Sequence, residues 1–177
     1  MNTAKLICII GAESTGKTTL AQALAAQFDC LWVPEYLRAF CELRGRTPTQ
    51  HEQSMILKTQ VIDEMSAKVR ARGRNRPYVF CDTAPLLTAI YSDFVFGDQS
   101  LYARARALHS RYALTLLLEP DIAWVADGLQ REGAHVREPI TNLIERELAA
   151  INASVVHISG QGDARVQAAA QAIHGIK

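Results

Sequence analysis

The chain has 177 residues, with 19 Lys and Arg against 18 Asp and Glu and 49% hydrophobic content, a size that suits one domain burying a core without disulfide or metal support. Its net charge of +1 supplies no field that would gather nucleic acid or anionic lipid, so binding has to come from a built site. No apolar run approaches the roughly 18 residues of a membrane span.

Leu6 to Ile10 reads as a buried strand, and the next residues, Gly11-Ala-Glu-Ser-Thr-Gly16-Lys17-Thr18, fit GxxxxGK[ST] without a mismatch. This is a phosphate-binding P-loop, because the alanine-rich amphipathic segment Thr18 to Phe28 supplies the helix that must follow. Its glycines let successive N–H groups curl toward a phosphate, and the helix N-terminus adds a positive end. Gly11, Ser14, Thr15, Gly16, Lys17, Thr18 and Thr19 are the expected nucleotide contacts. Lys17 reaches the β- and γ-phosphates of ATP, and the Thr18 hydroxyl is placed to ligate Mg²⁺.

A second strand is expected at Leu31 to Val33, followed by Pro34-Glu35-Tyr36-Leu37-Arg38 and a helix from Tyr36 to Arg44. Trp32 and Tyr36 are candidates to stack on a heteroaromatic ring, with core packing the expected fate of Trp32. Glu35 either accepts a proton from an acceptor hydroxyl or caps the following helix. Arg38, three residues on, can reach a phosphate or pair with Glu35. Thr49 and Glu52 form a capping box for a long helix beginning near Gln50, along which Met55, Ile56, Val61, Ile62 and Met65 recur at helical spacing before the stop at Arg72-Gly73.

The third strand, Tyr78 to Cys81, ends at Asp82. That is the place of a Walker B carboxylate holding Mg²⁺, although Asp82 would also suit as N-cap of a helix from Pro85 to Phe94. A helix at Leu101 to Tyr112, a strand at Leu114 to Leu118, a helix at Pro139 to Asn152, a strand at Val155 to Ile158 and a helix at Ala164 to Ile173 complete the alternation. The expected fold is therefore α/β, a P-loop NTPase with a five-stranded parallel sheet covered on both faces, in one domain over 1–177. Ligands of such sheets bind beyond the carboxyl ends of the strands, which draws Lys17, Glu35, Tyr36, Arg38 and Asp82 to one edge.

Residues 124–137 carry Asp127-Gly128, Arg131, Gly133 and Arg137 between a strand and a helix, the composition of a small lid over about 127–137. Closing it would bring Arg131 or Arg137 onto a transferring phosphoryl group and exclude water. The five histidines show no ligand pattern, and Cys8, Cys30, Cys41 and Cys81 include no CxxC pair, so reduced thiols are expected rather than zinc. Met1 to Lys5 leaves no room for a signal peptide, and a cytoplasmic location is expected. Since no NKxD motif occurs, a GTPase switch is disfavoured.

Taken together, Gly11-Ala-Glu-Ser-Thr-Gly-Lys-Thr-Thr19, Pro34-Glu-Tyr-Leu-Arg38, Phe80-Cys-Asp-Thr83 and Trp124-Val-Ala-Asp-Gly-Leu129 resemble the ribosylnicotinamide kinase domain of the bifunctional NadR proteins, over roughly residues 5–160. The resemblance implies transfer of phosphate from ATP to the ribose 5′-hydroxyl of nicotinamide riboside. It further implies catalytic roles for Lys17, Glu35, Asp82, Arg131 and Arg137, and substrate contacts at Glu35, Tyr36, Arg38 and Asp82. Two positions depart from the family pattern: Gln130 precedes Arg131, where an arginine often follows Asp-Gly-Leu directly, and Pro34 stands where those proteins have a ring-stacking tryptophan. The fused adenylyltransferase and DNA-binding portions of that family have no counterpart in this sequence, so neither of those activities is expected. The implied partner is a small nucleoside, with another nucleoside or nucleotide kinase, or a regulatory P-loop ATPase, as alternatives. Oligomeric state has no signature in the sequence.

Overall fold

The computed structural model describes residues 3–126 and 133–176. Five strands, β1 (Lys5–Ile10), β2 (Leu31–Val33), β3 (Tyr78–Asp82), β4 (Tyr112–Leu118) and β5 (Val155–Ile158), form one sheet in the order β2-β3-β1-β4-β5. Every pairing is parallel, as expected where helical crossovers join consecutive strands. The crossovers are α1 (Lys17–Gln27), α2 (Tyr36–Arg44), α3 (Gln53–Gly73), α4 (Pro85–Phe96), α5 (Tyr102–His109) and α6 (Arg137–Ala150), with α7 (Gly162–His174) after the last strand. These elements match the sequence expectations, with ends displaced by a few residues. Among the described residues no helix is long and apolar enough to cross a membrane.

Alternation along β1 divides the core. Leu6, Cys8 and Ile10 pack with α3 to α6 on one face, whereas Ile7 and Ile9 meet Leu20 and Leu24 of α1 and Ile173 of α7 on the other. With both faces covered, the central strand reads as an uninterrupted apolar run, which is why it was recognisable without an alternating pattern. Trp32 packs partly buried against the α1 and α7 side.

The capping box at Thr49 and Glu52 is present, opening a short 3₁₀ turn at Gln50–Glu52 that leads into α3. The apolar stripe expected along α3 is inward only in part, with Ile56 buried and Val61 packed partly buried against the core. Met55, Ile62 and Met65 are exposed, and the buried set is Gln53, Ile56, Leu57, Gln60, Glu64, Ala67 and Ala71. Gln60 and Glu64 occupy inward positions because each finds a partner there: Gln60 accepts from the Tyr36 N–H at 2.9 Å, and Glu64 accepts from Arg111 Nη2 at 2.8 Å and from the Tyr112 hydroxyl at 2.9 Å. A buried carboxylate is tolerated only on such terms.

His109, at the end of α5, is 3% exposed, and its Nε2 lies 2.8 Å from Thr115 Oγ1. Burial, with the Arg111 charge nearby, pushes the imidazole down to about 4 from its usual 6.5. The unfolded chain therefore takes up a proton that the folded chain refuses, so this site's contribution to stability is present above about pH 6.5 and is lost as pH falls toward 4. We expect melting temperature to fall through that window by an amount corresponding to up to about 3 kcal/mol from this group. His109→Gln, which keeps a partner for Thr115 but does not titrate, should flatten that slope in melts recorded across pH.

Candidate active site

The loop after β1 returns sharply into α1, and two glycines make that possible. A Cβ on Gly11 would lie 2.8 Å from Thr15 Oγ1 and 3.0 Å from the Leu118 carbonyl oxygen, while Gly16 adopts φ 81° as the N-cap of α1. Both positions exclude ordinary side chains at low cost. The Thr15 hydroxyl donates to the Ala12 carbonyl at 2.9 Å, and Lys17 Nζ donates to the carbonyls of Gly11 (3.1 Å) and Ala12 (2.9 Å). No acidic residue occupies the first turn of α1, so its positive end stays available to an anion.

Adjacent pairing of β1 and β3 brings the Walker B position to this loop. Ile9 stands opposite Asp82, and the Thr18 hydroxyl donates to Asp82 Oδ2 at 2.6 Å. Asp82 does not cap the next helix; Ala84 is the N-cap of α4. Burial raises the Asp82 carboxyl above its ordinary range, opposed by the Thr18 hydrogen bond and by the charges of Lys17 and Arg38. Its Oδ1 is buried without a hydrogen-bond partner among the described residues. The next residue, Thr83, has φ 79° and an equally unpartnered hydroxyl, while its N–H donates to the Ile9 carbonyl at 2.9 Å. A β-branched residue held there stores roughly 1–3 kcal/mol of strain, the kind that gathers at functional sites.

Two cavities open at this sheet edge. The wider, about 550 Å³, is lined by Ser14 to Thr19, Arg38 and Ile122 among others; the narrower, about 80 Å³, by Leu37, Ile56, Gln60, Thr83, Leu87 and Tyr91 among others. Glu35 lines both. As N-cap of α2 it makes no side-chain cap bond, so capping does not explain it. Tyr36 packs on the Phe40, Cys41 and Ile56 cluster, and it is Leu37 beside it that lines the narrow cavity. Tyr91 joins the two regions through its hydroxyl, which donates to Glu13 Oε1 of the P-loop at 3.3 Å.

Of the lid arginines, Arg131 lies outside the described residues, as do 127–130 and Glu132. Arg137, the first residue of α6, donates from Nη1 to the Ile122 carbonyl at 2.9 Å, while its Nε and Nη2 are buried with no hydrogen-bond partner among the described residues. That burial lowers its pKa, with Asp121 opposing and Arg165 reinforcing the shift. The segment after β4 is tied to the phosphate loop, since the Val125 N–H donates to Ser14 Oγ at 3.0 Å.

Arg165, on α7 and 5% exposed, carries no motif signal, yet it clamps three loops together. Its guanidinium donates to the carbonyls of Thr15 (2.5 Å), Glu119 (3.1 Å) and Gly160 (2.7 Å), and pairs with Asp121. Among the described residues no group of three or more His, Cys, Asp or Glu could hold a metal. Thr18 and Asp82 stand together as hard oxygen donors, the hydroxyl-and-carboxylate set on which Mg²⁺ sits when phosphates and water supply its remaining ligands.

The trifunctional NAD biosynthesis/regulator proteins NadR of Salmonella typhimurium and Escherichia coli are each 29% identical over 161 residues, covering 87% of this chain. The chain spans 38% of the length of those relatives. A crystal structure of NadR protein in complex with NR superposes with a TM-score of 0.84 at 24% identity, covering 98% of this chain and 52% of that one. Deoxyadenosine kinase from M. mycoides superposes with a TM-score of 0.63 at 12% identity, covering 97% and 100%. Both likenesses show the fold. The AAA domain family model matches residues 6–165, taking in the P-loop, Asp82, Arg137 and Arg165, and the chain accordingly belongs to that family.

Proposed function

We propose that the chain is an ATP-dependent kinase that phosphorylates the ribose 5′-hydroxyl of nicotinamide riboside, giving nicotinamide mononucleotide. The observation that carries this reading is Glu35, a carboxylate in the wall between a phosphate-binding cavity and a second, largely apolar one. In this reading a group so placed stands between the donor's phosphates and the acceptor's hydroxyl. The relatives lend the acceptor its identity: they are named for NAD biosynthesis, and NadR protein has been solved with NR and with NAD and AMP-PNP. The inner cavity, about 80 Å³, is rimmed by the exposed Val95 and Phe96 at the end of α4, apolar groups suited to the face of a ring.

In this reading the ATP phosphates lie along Ser14 to Thr19, with Lys17 on the β- and γ-phosphates. Glu35 takes the proton from the ribose 5′-hydroxyl as that oxygen bonds to the γ-phosphorus and the bridging P–O bond to ADP breaks. Thr18 and Asp82 would hold Mg²⁺, which neutralises charge on the phosphates; the unpartnered Asp82 Oδ1 fits that use. Arg38 adds positive charge at the wall of the wide cavity, and Arg137, which donates to the carbonyl of the lining residue Ile122, holds a second cation behind that wall. Location in the cytoplasm goes with a substrate of this kind.

Removing Lys17 as Lys17→Ala should lower phosphoryl transfer by roughly 10²- to 10³-fold, the effect of deleting one preorganised donor to developing charge; a fully active variant would remove the mechanism. Glu35→Gln should retain Mg·ATP affinity by titration yet lose about 10²- to 10⁴-fold in kcat. For Arg165→Met, loss of the loop clamp should raise KM for ATP about tenfold, equivalent to ~1.4 kcal/mol, and lower the melting temperature; unchanged nucleotide affinity would make the clamp purely architectural. The acceptor is tested by ADP release with Mg·ATP alone, with nicotinamide riboside, and with a panel of ribo- and deoxyribonucleosides. Nicotinamide riboside should stimulate most and appear as its mononucleotide. A different best acceptor would reassign the kinase, and acceptor-independent hydrolysis would make the protein a regulatory ATPase.

A further inference from the structure

Helix α2 begins one residue after Glu35, and an N-cap side chain in that place commonly bends back to accept an N–H of the first turn. Glu35 does not do so. The N–H of Tyr36, the first helical residue, instead donates to Gln60 Oε1 at 2.9 Å, an atom supplied by α3. Gln60 is 2% exposed and lines the inner cavity.

The orientation of Gln60 is itself enforced. Its Nε2 donates to Glu64 Oε1 at 3.3 Å, and Glu64, 0% exposed, also accepts from the Tyr112 hydroxyl and the Arg111 guanidinium. The Tyr36 N–H can only donate and both Glu64 oxygens already accept, from Tyr112 and from Arg111, so the oxygen of the Gln60 amide faces Tyr36 and its nitrogen faces Glu64. A flipped amide would set oxygen against carboxylate and N–H against N–H. The network thus runs in one direction, from Arg111 and Tyr112 at the start of β4, through Glu64 and Gln60, to the first turn of α2. Buried polar groups of this kind add little stability over apolar packing, so their presence asks for a function in placing something.

We propose that Gln60, held by Glu64, is a positioning residue that anchors the first turn of α2 from outside and thereby holds Glu35 in the wall between the two cavities. This rests on Glu35 being the base of the kinase reaction. Tyr36 follows Glu35 directly, so the bond from its N–H to Gln60 fixes the backbone from which the Glu35 side chain projects; once Gln60 no longer accepts, the first turn of α2 shifts and carries Glu35 out of line.

The test is Gln60→Met, which keeps side-chain length without an acceptor, assayed alone and combined with Glu35→Gln. We expect kcat to fall roughly 10- to 100-fold, the scale of an ångström-sized misplacement, with KM for ATP within about twofold of wild type. In the Glu35→Gln background the same change should cost nothing further, because the group it positions is already gone. An equal loss in both backgrounds would show a merely structural role, and an unchanged kcat in Gln60→Met alone would overturn the proposal outright. Full turnover in Glu35→Gln would instead sink the base assignment and this proposal with it, an outcome read from that single variant. Should Gln60→Met melt below the assay temperature, Gln60→Asn, with an amide too short to reach Tyr36 and Glu64 together, carries the same comparison.

Discussion

The contact on which the site depends is the 2.6 Å hydrogen bond from the Thr18 hydroxyl to Asp82. These residues are 64 positions apart in sequence and meet because β3 returns beside β1 in register, Ile9 opposite Asp82. That adjacency puts the first turn of α1 over the end of β3, and the same return sets the Thr83 N–H on the Ile9 carbonyl. Had β2 paired with β1 instead, the carboxylate would lie one strand spacing farther away, about 5 Å, beyond hydrogen-bond reach. The strained φ of Thr83 is held by the same pairing, since the strand ends at the point where the chain must turn toward α4.

Around this contact the interior is polar in a directed way. Glu64, Glu147, Arg165 and Asp82 are nearly or wholly buried, and each has a named partner: Arg111, Arg106, Asp121 and Thr18. Two of the four bear directly on the loops of the sheet edge. Arg165 draws the P-loop and the loops after β4 and β5 to one point, and Glu64 passes a fixed hydrogen-bond direction to the start of α2. Loops are otherwise the least ordered parts of a domain. Buried charge fixed on rigid helices holds the backbone of these loops at one sheet edge, where the proposed reaction would bring a phosphate and an acceptor hydroxyl together.

Much of this was legible in the residues. The P-loop declared itself because phosphate recognition by backbone needs glycines at set positions, and those leave a pattern of letters. The parallel sheet declared itself because strands covered on both faces become apolar runs between amphipathic helices. Asp82 could be picked out as the polar residue ending such a run. Gln60, Arg165 and Thr83 could not. A glutamine on a helix, an arginine near the end of the chain and a threonine after a strand are each common surface residues, and only their distant neighbours make them anything else. Of the stripe Met55, Ile56, Val61, Ile62 and Met65, Ile56 and Val61 turn inward while Met55, Ile62 and Met65 lie on the exposed side of α3, for a related reason: helical periodicity reports that a face exists, while how far that face turns inward is decided by what it meets.

Local rules therefore determined where the chain turns, where it extends, and where a phosphate is received, because these follow from allowed backbone angles and from the period of apolar residues. Tertiary structure decided which of two roles each ambiguous polar residue took. Asp82 and Glu35 were both able to cap helices, yet Ala84 occupies the cap of α4 and Gln60 serves the first N–H of α2. That choice rests on hydrogen bonds between residues far apart in sequence. A short window of sequence contains the donor and leaves out the acceptor, and the outcome exists only once the sheet has brought the two together.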